Sequence, residues 1–265
     1  MFFKFQDPGS SFFDLISSQY PKFLSHSQGE DPELPRQPWT AVSHGTTVLA
    51  LKFKDGVIIA GDRMATEGFS VSARRIEKVF KTDDHSAIAI AGAAGPCLEL
   101  ARLFQTELEH YEKLEGMVLS TEGKANKLAQ MVKSNLPMAF QGLIVIPLFV
   151  SYDLKREEGR IFKYDITGGR YEETEYFATG SGGRDARNTL KNRYKPGLEE
   201  QDAVQIALEA LYDASEEDIG TGGPDPIRGI YPTIKAVSKQ GIANVEESRI
   251  KELYEALIEN KKRGF

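Results

Sequence analysis

A threonine preceded by a glycine, at Gly45-Thr46, could become a nucleophile if the chain were cut between these two residues. The cut would free an α-amino group, whose ordinary pKa of about 8, against about 10.4 for lysine, makes it a competent base near pH 7. A threonine can use its own terminal amine in this way to activate its hydroxyl. The bond lies where an irregular segment meets a regular strand pattern, and glycine places no side chain in the way of attack. We therefore predict cleavage at this bond and Thr46 as the nucleophile.

Other arrangements for nucleophilic catalysis find little support in the sequence. The histidines lie in or beside the irregular leader, in a turn and on a charged helix flank, and all are most simply structural. They are His26, His44, His85 and His110. Ser181 lies in Thr179-Gly180-Ser181-Gly182-Gly183, which lacks the first glycine of a nucleophile elbow. The same glycines match neither a dinucleotide fingerprint nor a phosphate loop, so a tight turn leading into a helix is the simpler interpretation.

Composition excludes several classes of function. The chain has 265 residues, with 33 basic and 39 acidic side chains and a net charge of −6, and it has no concentrated basic face for nucleic acid. Its single cysteine, Cys97, forbids an intrachain disulfide and leaves no thiol cluster for zinc, which fits a reducing compartment. The sequence has no stretch of 18 apolar residues that would predict a membrane span, and no secretory segment is recognisable. The predicted location is therefore the cytoplasm. A metal enzyme is the least supported class, since no closely spaced set of metal ligands occurs.

The chain changes character at about residue 45. The first 45 residues hold six of the fifteen phenylalanines and five of the twelve prolines. Pro32, Pro35 and Pro38 remove backbone donors and favour extended neighbours, so residues 28–38 form a predicted irregular linker. Residues 46–265 have the regular patterns of one domain.

Strand blocks alternate with pairs of helices in the regular part. The predicted strands are 46–53, 57–60, 76–81, 86–91, 143–152, 160–165, 176–179 and 230–237. The predicted helices are about 97–111, 121–136, 185–193, 201–215 and 246–260. Helix pairs segregated between antiparallel strand blocks indicate an α+β fold of two stacked sheets with helices outside, and not a doubly wound parallel sheet.

Six short motifs resemble those of proteasome beta-type subunits, in order and in spacing. They are His44-Gly45-Thr46-Thr47-Val48, Ala60-Gly61-Asp62-Arg63, Arg75-Ile76-Glu77-Lys78-Val79, Ala91-Gly92-Ala93-Ala94-Gly95, Gly180-Ser181-Gly182 and Thr221-Gly222-Gly223. The resemblance extends from Thr46 to the C-terminus, and residues 107–116 and 222–225 are similar to bacterial, actinobacterial-type members. It implies the N-terminal nucleophile hydrolase fold, a four-layer αββα sandwich. It also implies that residues 1–45 are a propeptide removed by self-cleavage.

The resemblance implies two charged partners for Thr46. Asp62 and Lys78 match these positions in the family. Asp62 can hold Lys78 by a charge-assisted hydrogen bond, and the ammonium would lower the pKa of the threonine hydroxyl by stabilising developing negative charge. Residue types alone would favour an ordinary ion pair, and only the spacing of both residues from Thr46 favours the catalytic role.

The resemblance also implies four further site residues. Ser181 and Asp218 match residues that orient the amine and relay its proton. Thr221 matches a position that is often serine. Because threonine has an extra methyl group, the sequence does not determine which group its hydroxyl bonds to. Gly92 matches the residue whose backbone N–H supplies the oxyanion hole, where the loss of one donor costs about 3 kcal/mol of barrier stabilisation.

A set of positions matches the substrate-binding pocket and strand of the family. Six of them match the pocket for the residue before the cut, and Thr66 matches the strand that binds substrate. The six are Ala65, Ile76, Phe80, Ile90, Ala94 and Leu98. All six are apolar, so we predict a preference for hydrophobic or neutral side chains before the cut.

The resemblance therefore implies a catalytic proteasome subunit, a threonine endopeptidase that needs no cofactor and degrades unfolded proteins to peptides. In the family, β subunits form heptameric rings between α rings, fed by a ring-shaped ATPase unfoldase. One alternative is a two-ring peptidase of the HslV type, whose chains are shorter with little leader. Another is a structural ring subunit without catalysis, as α-type subunits are, although the presence of Thr46, Asp62 and Lys78 speaks against it.

Overall fold

The computed structural model describes residues 45–67 and 70–263. Only Gly45 of the predicted propeptide falls in this part of the chain, so the rest of that prediction lies outside the described residues. Among the residues described, no helix combines the length and the apolar character needed to cross a membrane.

The elements follow one another much as the sequence predicts. In chain order the strands are β1 (Thr47–Phe53), β2 (Gly56–Gly61), β3 (Ala65–Glu67), β4 (Ser70–Ala73), β5 (Val79–Asp83), β6 (Ser86–Gly92), β7 (Val145–Asp153), β8 (Glu158–Tyr164), β9 (Arg170–Glu173), β10 (Tyr176–Gly180), β11 (Thr233–Ser238) and β12 (Gly241–Asn244). The helices are α1 (Ala94–Glu115), α2 (Thr121–Ser134), α3 (Leu136–Ala139), α4 (Gly183–Arg193), α5 (Glu200–Glu217) and α6 (Glu247–Arg263).

The strands form two five-stranded sheets and a separate hairpin. The first sheet has the order β10-β1-β2-β11-β12, the second has the order β5-β6-β7-β8-β9, and β3 pairs with β4. Every neighbouring pair in both sheets is antiparallel. A two-residue turn at Lys54 and Asp55 joins β1 to β2, so that Phe53 pairs with Gly56.

Side-chain alternation along the strands builds the four layers. In β1, Val48 and Ala50 belong to the apolar cluster between the two sheets, while Leu49 and Leu51 belong to the cluster under α4 and α5. Because both faces of β1 are buried, its apolar run is continuous. The second sheet packs α1 and α2 on its outer face. The predicted four-layer α+β sandwich, the N-terminal nucleophile hydrolase fold, is confirmed.

Some strand predictions were wrong in extent. The strand predicted over 76–81 begins only at Val79, because the N–H of Ile76 donates to the carbonyl of Arg63 at 2.9 Å and pairs this stretch with the loop after β2. Strands β3, β4, β9 and β12 were not predicted. They have three or four residues each, and β4, β9 and β12 are largely exposed, so no alternating apolar pattern marks them.

A buried arginine ties the second sheet to α2. The Arg160 side chain is only 1% exposed and donates through Nε and Nη2 to both carboxylate oxygens of Glu172, at 2.7 and 2.5 Å. Its Nη2 also lies 2.6 Å from Glu122 Oε1, and Arg170 contacts the other oxygen of Glu122. Glu122 is in the first turn of α2, where its negative charge also interacts favourably with the helix dipole.

Glu122→Gln is expected to lower the free energy of unfolding at neutral pH by about 1 kcal/mol, a modest value because the Glu122 side chain is 44% exposed and screened by solvent. Hydrogen bonds from Arg170 and Arg160 lower the pKa of Glu122 from 4.5 to about 2. The folded chain therefore holds fewer protons than the unfolded chain in this range, and the stabilisation is lost as the pH falls from 4.5 towards 2.

Thermal unfolding of both variants across this pH range tests the Glu122 prediction. The difference in Tm between the parent and Glu122→Gln should shrink towards pH 2. Glu109→Gln, which removes an exposed Lys113 pair, is the matched control and should change Tm little. A difference between the parent and Glu122→Gln that stayed constant down to pH 2 would contradict the electrostatic origin of the effect.

Candidate active site

Thr46 lies directly before β1, and the pairing of β1 brings the other site residues to it. Strand β10 pairs with β1 so that Ser181, just beyond β10, donates its N–H to the Thr46 carbonyl at 2.9 Å. Strand β2 pairs Gly61 with Val48, and the next residue, Asp62, donates its N–H to the Thr47 carbonyl at 3.1 Å. The nucleophile predicted from the sequence thus sits between two strand ends, and it is 4% exposed.

Asp62 and Lys78 form a buried ion pair beside Thr46. Lys78 Nζ lies 2.7 Å from Asp62 Oδ1, and the two side chains are 6% and 0% exposed. The Asp62 carboxylate also accepts three backbone N–H groups at 2.8 to 3.0 Å, those of Thr47, Met64 and Gly222. Burial lowers the pKa of the Lys78 amine, although Asp62 acts in the opposite direction. The arrangement fixes an ammonium 3.4 Å from the carbonyl oxygen of Gly45.

A second polar group contacts Thr46 from the opposite side. The Thr46 N–H donates to Ser181 Oγ at 3.2 Å, and Ser181 Oγ donates to Asp218 Oδ2 at 2.5 Å. Thr221 Oγ1 donates to the same Asp218 oxygen, also at 2.5 Å. The question left open by the sequence is answered here, because the hydroxyl of Thr221 reaches Asp218 despite its extra methyl.

The peptide bond before Thr46 is intact and closely surrounded. Thr46 Oγ1 lies 2.7 Å from the Gly45 carbonyl oxygen, and the Gly45 N–H donates to Thr66 Oγ1 at 3.0 Å. A Cβ at position 45 would lie 2.0 Å from Gly220 Cα. In this arrangement only glycine fits before Thr46, and the reacting hydroxyl is already next to the carbonyl group of its own preceding residue.

Gly92 lies at the end of β6 beside Thr46. Its φ of +132° is a conformation that favours glycine, and a Cβ there would lie 2.0 Å from the Ile144 carbonyl oxygen. Both Gly92 and Thr46 line one cavity. The resemblance implies Gly92 as the oxyanion donor, and its place in the same cavity as Thr46 is compatible with that role.

The cavity beside Thr46 is called the specificity pocket below. Its lining includes all six side chains predicted from the sequence. They are Ala65, Ile76, Phe80, Ile90, Ala94 and Leu98. The structure thus brings these residues together with Gly45, Thr46, Lys78 and Gly92.

Two residues of the specificity pocket were not predicted, Cys97 and Glu77. Cys97 lies three residues after Ala94 on α1, so the helical spacing from Ala94 could have indicated it. Burial raises the pKa of its thiol to about 12, which keeps it neutral and suits an apolar lining. Glu77 adds a carboxylate next to Lys78, but that carboxylate accepts from the Val79 N–H at 3.3 Å.

The site supplies the groups needed for acyl transfer to a hydroxyl. Thr46 has a hydroxyl oxygen and a nitrogen that would become a terminal amine. Lys78 supplies an ammonium, and Asp218 supplies a carboxylate with two hydroxyl partners. Among residues 45–67 and 70–263, no three histidine, cysteine or carboxylate side chains come together in a way that could hold a metal ion.

The fold and the threonine-centred site point to an N-terminal nucleophile hydrolase, and comparison with known proteins gives the family. The family model described as proteasome subunit matches residues 42–226. A protein named Proteasome subunit beta from Acidimicrobium ferrooxidans is 53% identical over 247 residues, covering 93% of this chain and 88% of that protein. Proteins of the same name from Streptomyces griseus and Frankia alni are 46% and 49% identical, covering 97% and 96% of this chain and 91% and 92% of their own lengths. The chain belongs to the proteasome subunit family, and the resemblance to its bacterial beta-type members is confirmed.

Proposed function

We propose that this chain is the catalytic beta subunit of a proteasome core, and that it hydrolyses peptide bonds as a threonine endopeptidase after cleavage at Gly45-Thr46. The observation that carries the proposal is the convergence on Thr46 of the Asp62–Lys78 pair from one side and of Ser181 with Asp218 from the other. Neither group is near Thr46 in the sequence. An α-type structural subunit would have no use for this arrangement.

The chemistry follows from the positions of the groups. The freed Thr46 amine takes the proton of its own hydroxyl, and Oγ1 adds to the carbonyl carbon of the substrate. Lys78 stabilises the negative charge that develops on Oγ1, and the Gly92 N–H binds the developing oxyanion. The C–N bond then breaks, the leaving amine takes the proton, and an ester remains on Thr46. The Thr46 amine then deprotonates a water molecule, which hydrolyses the ester and restores the site.

The removal of residues 1–45 is proposed as the same reaction carried out on the chain itself. The Thr46 hydroxyl lies 2.7 Å from the Gly45 carbonyl oxygen, and Lys78 Nζ lies 3.4 Å from that oxygen. Attack of Oγ1 on the Gly45 carbonyl carbon would break the Gly45–Thr46 C–N bond and leave Gly45 as an ester on Oγ1, while the hydroxyl proton passes to the Thr46 nitrogen, which becomes an amine. Water would then hydrolyse this ester, release the leader as a carboxylic acid and free the Thr46 hydroxyl. In the uncut chain the Thr46 nitrogen is an amide and cannot act as base. We therefore propose that the attached leader keeps Thr46 inactive until two β rings meet.

The proposed partners are those of a proteasome core. Seven copies would form a ring, and two such rings would stack between two rings of α subunits. A ring-shaped ATPase would feed unfolded proteins into the chamber, in the cytoplasm. Membership of the proteasome subunit family supports assembly with other subunits, and the names of the relatives support the beta type.

The test of this function uses the full chain expressed with an α subunit. N-terminal sequencing of the assembled particle should begin at Thr46. A peptide epoxyketone, which needs both the hydroxyl and the free amine of a terminal threonine, should add its mass to Thr46 and stop hydrolysis. A particle that is active but unlabelled, or that begins upstream of Thr46, contradicts the proposal.

The specificity pocket, whose predicted lining is apolar, should favour hydrophobic or neutral side chains before the cut. Burial of such a side chain gives about 1.5–3 kcal/mol, so kcat/KM should be about tenfold or more higher after leucine than after arginine or glutamate. Fluorogenic peptides that differ only at this residue measure the ratio. Ala94→Leu partly fills the pocket and should shift the preference towards alanine. Faster cleavage after arginine or glutamate by the parent would refute the prediction.

A further inference from the structure

Thr47, the first residue of β1, is fully buried and carries a hydroxyl before the apolar run Val48–Leu51. A buried hydroxyl needs partners, since an unpaired one costs free energy. The Gly182 N–H donates to Thr47 Oγ1 at 3.1 Å, and Thr47 Oγ1 lies 2.6 Å from Thr221 Oγ1. The Thr47 side chain therefore touches the group that surrounds Asp218, although nothing in the sequence distinguishes it from an ordinary strand threonine.

The direction of each hydrogen bond follows from counting hydrogens. A hydroxyl has one hydrogen to donate, and Thr221 gives its hydrogen to Asp218 Oδ2 at 2.5 Å. In the contact between the two threonines, Thr47 must then be the donor. The Thr47 oxygen in turn accepts the Gly182 N–H. The result is a chain of hydrogen bonds in one direction, from Gly182 through Thr47 and Thr221 to the carboxylate of Asp218.

The same count applies on the Thr46 side of Asp218. Ser181 gives its hydrogen to Asp218 Oδ2, so its oxygen can only accept from the Thr46 nitrogen. A free amine that donates to Ser181 keeps its lone pair for the proton of the Thr46 hydroxyl. If Asp218 turned away, the Ser181 hydrogen would be released and could donate to that lone pair, which would remove the base.

We propose that Thr47 is a positioning residue, which fixes Asp218 through Thr221 and so keeps Ser181 an acceptor for the catalytic amine. This inference rests on the proposed function. The space around the pair supports it, because a Cβ at position 182 would lie 2.6 Å from Thr47 Oγ1 and 2.7 Å from Thr221 Oγ1. The two hydroxyls therefore occupy the place that only a glycine at 182 leaves free.

Thr47→Val removes the hydroxyl and keeps the branched shape. Rates are measured on the assembled particle and expressed per epoxyketone-reactive Thr46, so that incomplete maturation does not enter. We expect kcat to fall about tenfold, as for the loss of one buried hydrogen bond, with KM within about twofold of the parent. We also expect the acid limb, the part of the pH profile in which kcat falls as the Thr46 amine is protonated, to move to lower pH. The reason is that a hydrogen bond donated by Ser181 lowers the pKa of that amine. Thr47→Ser should restore both.

Thr82→Val is the matched control. Thr82 is 3% exposed, and its hydroxyl lies 2.8 Å from Ser86 Oγ in the second sheet, so the substitution removes a similar buried hydroxyl pair away from the site. It should keep the kcat and the acid limb of the parent. A Thr47→Val particle with the kcat and acid limb of the parent overturns the inference, while the activity of the parent upholds the proposed function. An inert, unlabelled parent overturns both.

A second variant covers failure of Thr47→Val to assemble. Thr221→Val interrupts the same chain of hydrogen bonds one link closer to Asp218. It should displace the acid limb in the same direction and by at least as much. An acid limb that stays where it is in the parent overturns the inference.

Discussion

Thr46→Ala is expected to abolish peptide hydrolysis and to leave residues 1–45 attached to the chain. Alanine has no hydroxyl to attack either the substrate or the Gly45 carbonyl, so both reactions lose their nucleophile together. The loss of kcat/KM should be about 10⁴-fold or more, as for other nucleophile deletions. Intact mass of the assembled particle and hydrolysis of a fluorogenic peptide measure the two effects.

Thr46→Ser is the control, because it keeps the hydroxyl and the nitrogen in place. It should lose its leader and retain measurable hydrolysis. The shape of the site should also survive in the alanine variant, since the Thr46 backbone bonds to Ser181 do not involve its side chain. An alanine variant that is trimmed before residue 46 and still active would show that the nucleophile lies elsewhere.

The fold could be predicted where burial leaves a pattern in the sequence. The continuous apolar run Val48–Leu51 defines β1, and the helix stripes define α1 and α5. Prediction failed where tertiary contacts decide. The strand predicted over 230–237 begins at Thr233, because Ile230 pairs instead with Asp225, with a backbone hydrogen bond in each direction.

The site could be predicted only in part from the chemistry of its residues. Thr46 follows from the need for a base near neutral pH, whereas Asp62 and Lys78 were implied only by the resemblance to a family. Ser181 lies 135 residues from Thr46, and only the resemblance to a family placed it in the site. Thr47 was missed, because a strand threonine carries no signal of what it touches, and Cys97 was missed although its helical spacing from Ala94 could have indicated it.

Lys78→Met is expected to reduce kcat/KM about 10³-fold while the particle still forms, because the variant removes the charge that stabilises the negative charge developing on Thr46 Oγ1. It also leaves Asp62 as a buried carboxylate without its cation. The cost to the free energy of unfolding should be about 3–5 kcal/mol, as for other broken buried pairs. The three backbone N–H donors that remain on Asp62 should keep this cost near the lower end.

Lys124→Met separates chemistry from stability. Lys124 is 3% exposed, and its Nζ lies 2.6 Å from Asp83 Oδ2, so it forms a second buried lysine–aspartate pair, at the far end of β5 from Lys78. Loss of this pair should lower Tm about as much as Lys78→Met does. It should leave the rate of hydrolysis per epoxyketone-labelled Thr46 unchanged. If Lys124→Met lost hydrolysis as strongly as Lys78→Met, the loss would reflect stability and not the ammonium.

The pH profile of Lys78→Met gives the sharper readout. Burial lowers the pKa of the Lys78 amine from 10.5, so the parent should lose activity on the alkaline side, below 10.5, as the ammonium gives up its proton. Methionine has no proton to lose, so the residual activity of the variant should lack this alkaline limb. The acid limb, which belongs to the Thr46 amine, should remain. An alkaline limb that persists in Lys78→Met would assign it to another group and would remove Lys78 from the chemistry.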